Sequence, residues 1–194
     1  MTTILTKKLT KLRKELQYHQ SELEYIQEVL KEWHYKFEEF QLEYCTENNI
    51  NIQKLNKENH EKVTEAMQTA NKKKPKVDFK KHKNKDKIKK MYKQLAKKLH
   101  PDAGGDEKDF KKLTEAMSQN NVQKILDICE KHDILINVDN EIIQLVKDQI
   151  IEVKKKIEIQ KSTYSWKLFS CEENVNCKNN LMKQFLKQLF NYGG

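Results

Sequence analysis

One short segment of the chain places a histidine and an aspartate on either side of a proline, at His100, Pro101 and Asp102. A histidine can act as an acid, a base or a metal ligand, and an aspartate can form an ion pair. No nucleophile, partner carboxylate or second ligand accompanies them in a motif, which argues against catalysis and metal binding. A polar tip that a proline holds rigid is typical of a docking element. We therefore expect a protein-binding site, no enzyme activity and no cofactor.

The cysteines form no metal-binding pattern. They are Cys45, Cys129, Cys171 and Cys177, and the closest pair has five residues between its members. Zinc motifs usually separate paired cysteines by about two to four residues. The six histidines form no i, i+4 arrangement with a carboxylate like that of the zincins. We predict that no metal is bound and that all four thiols are reduced.

The residues before the tripeptide predict a helix with one apolar stripe. Apolar residues recur there every three or four positions, as one helix face requires. They are Ile88, Met91, Tyr92, Leu95, Ala96 and Leu99. Lysines fill the other faces, namely Lys89, Lys90, Lys93, Lys97 and Lys98. Pro101 cannot continue this helix, and His100 lies at the negative end of the helix dipole.

The residues after the tripeptide predict a tight turn and two further helices. The turn is Ala103-Gly104-Gly105, and Asp106 can cap the next helix with Asp109 at its third position. The apolar stripe of that helix is Phe110, Leu113, Ala116 and Met117. Another helix can begin at Asn120-Asn121, with Val122, Ile125, Leu126 and Cys129 on its inner face. Residues 86–136 are thus predicted to form a compact helical module with the tripeptide at an exposed tip.

Long helices are predicted on both sides of this module. Residues 1–70 form a first arm, in which a heptad pattern runs from Leu5 to Tyr44, with a break expected near Asn48-Asn49. Residues 137–194 form a second heptad arm and an amphipathic tail. The arms are either coiled coils or amphipathic helices of an ordinary bundle. They can close on each other as an antiparallel hairpin or pair with a second copy of the chain, and the sequence leaves this open.

The positive charge is concentrated in one segment. The formal net charge is +9, yet residues 71–100 hold fourteen lysines and two aspartates, so the rest of the chain sums to about −3. Residues 71–85 predict a basic linker, and the run from Lys72 to Val77 is similar to a nuclear-import signal. Nucleic acid is an alternative partner, but the segment has only two aromatic residues, Phe79 and Tyr92, and no reader motif.

The composition favours an all-α protein. The chain has only 4 Gly and 2 Pro, and it is 37% hydrophobic and 35% charged. Sheets need more frequent turn residues than this. No apolar run approaches the roughly eighteen residues that cross a bilayer, and early lysines interrupt any signal-peptide core. We expect an intracellular, cytoplasmic protein, with a nuclear location as the alternative and no membrane partner.

Residues 86–117 resemble the second and third helices of the J-domain found in DnaJ-type co-chaperones. The likeness lies in YKQLAKKLHPD, which ends on the family's His-Pro-Asp signature, and in FKKLTEAM. The resemblance implies a partner, the ATPase domain of a DnaK-type heat-shock chaperone, whose ATP hydrolysis the J-domain stimulates.

The same resemblance implies a role for each docking residue. Asp102 would pair with a chaperone arginine, Pro101 would fix the loop, and His100 would orient it by hydrogen bonding. The lysines would steer the module to an acidic chaperone face, and they are Lys89, Lys90, Lys93 and Lys97.

The chain departs from the family pattern before residue 86. The family's first helix, with its Tyr-x-x-Leu-Gly signature, is not recognisable there, and Ala103 replaces a common lysine. Val77, Phe79 or one of the arms are candidates for the packing role of that helix. The chain also lacks a Gly/Phe-rich segment and a CxxCxGxG repeat. This is typical of divergent J-domain proteins, in which the arms would recruit a client or partner; the alternative is a coiled-coil scaffold with a degenerate J-like hairpin.

Overall fold

A computed structural model of the protein describes residues 4–70, 85–119, 121–134 and 138–192. Over these ranges the secondary structure is entirely helical, which confirms the all-α prediction. The α-helices are α1 (Ile4–Glu47), α2 (Ile52–Ala70), α3 (Lys85–Leu99), α4 (Glu107–Ser118), α5 (Val122–Lys131), α6 (Asn140–Ser162), α7 (Tyr164–Ser170) and α8 (Val175–Phe190). A 3-10 turn, Pro101–Ala103, lies between α3 and α4. Among the described helices, none has the length and apolarity to cross a membrane.

The chain divides into two compact units. The first combines Met1–Leu23 with Phe79–Lys156, and the second combines Glu24–Asp78 with Ile157–Gly194. Each unit therefore brings together segments that are far apart in the sequence. The docking tripeptide belongs to the first unit, where α3, α4 and α5 all contact one another.

The core of the first unit is built from the predicted apolar stripes. The buried members on α3 to α5 are Ile88, Met91, Leu95, Leu99, Leu113, Ala116, Val122, Ile125, Leu126, Ile128 and Cys129. The helix predicted to begin at Asn120-Asn121 is α5, and its inner face supplies about half of these buried residues. Asn121 caps α5 by accepting a hydrogen bond from the Lys124 backbone N–H at 3.0 Å. A three-helix core of this kind gives the loop between α3 and α4 a rigid base.

The N-terminal part of α1 packs on the same unit through Arg13. Its guanidinium donates to Gln123 Oε1 at 3.2 Å and forms ion pairs with Asp127, at 2.5 Å, and with Glu130. All three partners lie on α5. Two α1 leucines, Leu9 and Leu16, are buried, and Glu15 pairs with Lys154 of α6 at 2.9 Å. These contacts hold the N-terminal part of α1 against α5 and α6 within the first unit.

The second unit has an aromatic core. Phe37 of α1 lies with its ring centroid 5.1 Å from that of Phe185 on α8 and stacks on Tyr164 of α7 at 6.0 Å. The other buried members of this cluster are Tyr44, Cys45, Leu168, Leu181, Met182 and Leu186. The predicted break after α1 is confirmed, because Asn49 takes a left-handed φ of 56° and Asn51 then caps α2 through the Lys54 N–H.

The prediction of four reduced thiols is wrong for one pair. Cys171 and Cys177 form a disulfide, with their Cα atoms 5.5 Å apart. The turn between α7 and α8, with Glu172 at a left-handed φ of 49°, brings the two cysteines together, and the sequence spacing alone did not show this.

The other two cysteines, Cys45 and Cys129, are free and buried. Burial raises the pKa of Cys129 to about 11, which keeps this thiol protonated at neutral pH.

Candidate docking loop

Helix α3 presents two opposite surfaces. Four residues of its apolar stripe, Ile88, Met91, Leu95 and Leu99, are buried in the core of the first unit. The four predicted steering lysines are all exposed, namely Lys89, Lys90, Lys93 and Lys97. None of these lysines forms an ion pair with another described residue. Their charges are therefore not compensated within the described part of the fold, and they form one cationic surface that leads to the loop.

Lys98 has a different role from the other α3 lysines. Its Nζ donates to the backbone carbonyl of His132 at 2.5 Å. His132 is the C-cap of α5, so Lys98 satisfies a helix-end carbonyl and joins the ends of α3 and α5.

His100 organises the turn through its side chain and its backbone. It is the N-cap of the 3-10 turn, and its Nδ1 accepts a hydrogen bond from the Asp102 backbone N–H at 3.2 Å. In a neutral imidazole this places the proton on Nε2. The His100 carbonyl accepts from the N–H groups of Ala103, at 2.9 Å, and Gly105, at 3.0 Å. Pro101 occupies the first position of the turn, where its fixed φ suits helical geometry and its missing N–H costs nothing.

The carboxylate of Asp102 lies at the surface of the loop, beside His100. The Asp102 side chain is 91% exposed, and its Oδ2 lies 3.6 Å from His100 Nδ1. The backbone of Asp102 is held by the cap while its charge remains in solvent. A fixed backbone with an available carboxylate is suited to an ion pair with a partner protein.

Two glycines make the turn possible. Gly104 has a φ of 78°, a left-handed conformation that side chains rarely adopt. At Gly105 the constraint is space, because a Cβ there would overlap the backbone of Leu99 at the end of α3. The chain therefore folds back tightly on α3 before Asp106 caps α4 through the Asp109 N–H at 2.8 Å, as predicted.

Phe110 supports the loop from below. Its ring meets that of His100 edge to face, with the centroids 5.2 Å apart. The sequence assigned Phe110 only to the apolar stripe of α4, since nothing local indicates a contact with a residue ten positions earlier. The aromatic contact adds a second restraint on the His100 ring, next to its hydrogen bond with Asp102.

Asp109 lies beside Phe110 and is only 3% exposed. Its Oδ2 is 2.5 Å from Lys131 Nζ and 2.7 Å from His132 Nε2. The hydrogen bonds from Lys131 and then His132 hold the pKa of the Asp109 carboxyl below its usual range. The sequence indicates Asp109 only as a capping position, and no local pattern links it to His132, because the two residues are 23 positions apart.

The structure thus brings His100, Pro101 and Asp102 together at the tip, with the predicted lysines along the adjoining helix. Val77, Phe79 and the Lys72 to Val77 run lie outside the described residues.

A family model of the DnaJ domain matches residues 76–119. This chain carries a J-domain. The match contains every predicted docking residue, and no curated protein or solved structure matches the chain.

The J-domain match ends where α5 begins. It includes α3, the loop and α4, but less than a quarter of the whole chain. Helix α5 lies outside the match, yet it packs on both matched helices and provides Lys131 and His132. The structural support of this J-domain therefore extends beyond the residues that identify it.

Proposed function

We propose that this J-domain protein is a co-chaperone that docks on the ATPase domain of a DnaK-type heat-shock chaperone and stimulates its ATP hydrolysis. The chain itself is then not an enzyme and needs no cofactor. The observation that carries the proposal is the exposed carboxylate of Asp102, on a capped turn, at the end of a helix with four exposed lysines that pair with no acidic residue in the described ranges.

The two parts of this surface have separate tasks. The lysines Lys89, Lys90, Lys93 and Lys97 attract an acidic face of the chaperone over a distance and raise the rate of encounter. Asp102 then forms a short-range, charge-assisted contact with an arginine of the chaperone. His100 and Pro101 keep the backbone of Asp102 in place while this contact forms.

The helices outside the J-domain are the candidates for recruitment of a client or partner. They include α1, α6 and the whole aromatic unit that α7 and α8 complete. An intracellular protein with this arrangement would bring its client to the chaperone while the J-domain triggers ATP hydrolysis.

The test is a single-turnover ATPase assay of a DnaK-type chaperone with the full chain and two variants. Asp102→Asn removes the charge, and His100→Gln removes the imidazole. Losing one partner of a charge pair costs about 2 kcal/mol or more, so Asp102→Asn should lower stimulation by roughly thirtyfold or more when the chain is below its saturating concentration. His100→Gln should also lower it, with the helical circular dichroism unchanged.

Asp133→Asn is the matched control, because Asp133 is also an exposed aspartate after a helix of the same unit. It should stimulate like the wild-type chain. Wild-type stimulation by both Asp102→Asn and His100→Gln would overturn the proposal and favour a scaffold with a degenerate hairpin.

A further inference from the structure

The polar contacts of Asp109 and Lys98 close a ring around the docking loop. Helix α3 continues through the loop into α4, whose first turn holds Asp109. Asp109 binds His132 at the end of α5, and the carbonyl of His132 accepts from Lys98 in the last turn of α3. The two ends of the loop are thus joined to each other through the end of α5.

This ring restrains the rotation of α4 about its axis, in addition to the burial of Leu113 and Ala116 on the same helix. Neighbouring residues on an α-helix point about 100° apart, so Asp109 can face α5 while Phe110 faces the loop. Lys131 and His132, at the end of α5, both contact the Oδ2 atom of Asp109. A rotation of α4 that moved Phe110 away from His100 would break these contacts. The Asp109 carboxylate, which is almost closed to solvent, would then lose its partners on α5.

We propose that Asp109 and His132 are positioning residues for docking. They hold α4 in the rotation that keeps Phe110 against the His100 ring, and His100 in turn orients the backbone of Asp102. Neither residue touches the partner. This inference rests on the proposed chaperone stimulation, but its structural step, from His132 to the His100 ring, can be measured without any chaperone.

A second ion pair between α4 and α5 provides a matched control. Lys124 and Glu115 also connect these helices, 3.7 Å apart, but their side chains are 50% and 55% exposed. An exposed pair of this kind contributes little to structure, because water already solvates both charges. Glu115→Gln therefore removes a carboxylate from α4 without affecting the ring.

The first measurement uses nuclear magnetic resonance of the full chain. The edge-to-face contact with Phe110 should displace the Hε1 and Hδ2 resonances of His100 from their positions in an unfolded peptide. In His132→Ala and in Asp109→Asn the two resonances should move towards the unfolded positions. His132→Gln keeps an N–H donor and should restore part of the displacement, and Glu115→Gln should leave it unchanged.

The second measurement separates the maximum of ATPase stimulation from the concentration that gives half of it. A misplaced loop should lower the maximum in His132→Ala by roughly tenfold, since small errors in position have large effects on a coupled step. The half-saturating concentration should change by less than about threefold, because the steering lysines remain in place. Thermal unfolding, followed in parallel, shows whether each variant is folded at the assay temperature.

The two measurements test the positioning role of His132 and Asp109 separately from the proposed stimulation of a chaperone. His132→Ala with a lower melting temperature but wild-type His100 resonances would overturn the positioning role and leave a purely structural one. If the wild-type chain stimulates no chaperone, the proposed function fails, and the His100 resonances still test the structural step. Should both Asp109→Asn and His132→Ala unfold, Lys98→Met opens the same ring from α3, and wild-type resonances in that variant would overturn the inference.

Discussion

Arg13 and the outer lysines of α3 are all positively charged and belong to the same compact unit, but their surroundings differ. The Arg13 side chain is 15% exposed and bonds to three side chains of α5. The outer lysines of α3, namely Lys89, Lys90, Lys93 and Lys97, are exposed and form no ion pair within the described ranges. A cation that is partly buried and bonded by its own chain positions helices, whereas an exposed, uncompensated cation adds little to stability and remains available to a partner.

This difference separates the charges that build the unit from those that serve docking. The net charge of +9 does not make that distinction, and neither does the count of lysines in α3, where Lys98 belongs to the structural group. The comparison predicts that variants of the two groups affect different measurements.

The largest expected effect comes from reversing charges on the outer face of α3. The double variant Lys90→Glu, Lys93→Glu should lower the rate of association with a DnaK-type chaperone by roughly tenfold or more at low salt, because steering depends on the sign of the surface potential. Stopped-flow association at several salt concentrations measures this. The melting temperature should stay near the wild-type value, and a large decrease would show that these lysines stabilise the fold.

Arg13→Ala should have the opposite profile, with a moderate effect on stability. Its partners Asp127 and Glu130 are 53% and 63% exposed and can be solvated, so the expected loss is about 1–2 kcal/mol in the free energy of unfolding. Urea denaturation measures the loss. Below the unfolding range, chaperone association should equal that of the wild type, and slower association there would contradict the assignment of Arg13 to the structural group.

The smallest expected effect is a decrease in the free energy of unfolding as the pH becomes acidic. The pKa of Asp109 is lowered by Lys131 and His132, and that of Glu15 is lowered by its hydrogen bond with Lys154. A lowered pKa means that the folded state favours the ionised form. Its contribution to stability is therefore present at neutral pH and is lost as the pH falls through the ordinary carboxylate range and below.

Urea denaturation at a series of pH values tests this for the paired carboxylates. Asp109→Asn should lose less stability than the wild-type chain between neutral and acid pH. Glu115→Gln should follow the wild-type dependence more closely, because the exposed Glu115 contributes little as an ion pair. Parallel curves for the wild type and Asp109→Asn would show that the Asp109 ion pairs do not contribute.

Much of the module could be predicted from the sequence because the forces that form it are local. The spacing of the apolar residues gave α3 and α4, and Asp106 and Asn121 were identified as caps. The two glycines were assigned to a turn, although the reason for Gly105, its closeness to Leu99, appeared only in the structure. The contact of Phe110 with His100 and the disulfide between Cys171 and Cys177 depend on how separate helices meet, so no local pattern indicated them.

By itself the sequence determined an all-α chain, the exposed His-Pro-Asp tip and its cationic helix, because helix periodicity, proline and charge act over a few residues. The tertiary structure decided which segments support that tip. Arg13 packs on a helix more than a hundred positions later in the chain, and His132 reaches back to Asp109 beneath the loop. Such pairs depend on how whole helices pack against each other, because two residues that meet in the fold can be far apart in the sequence.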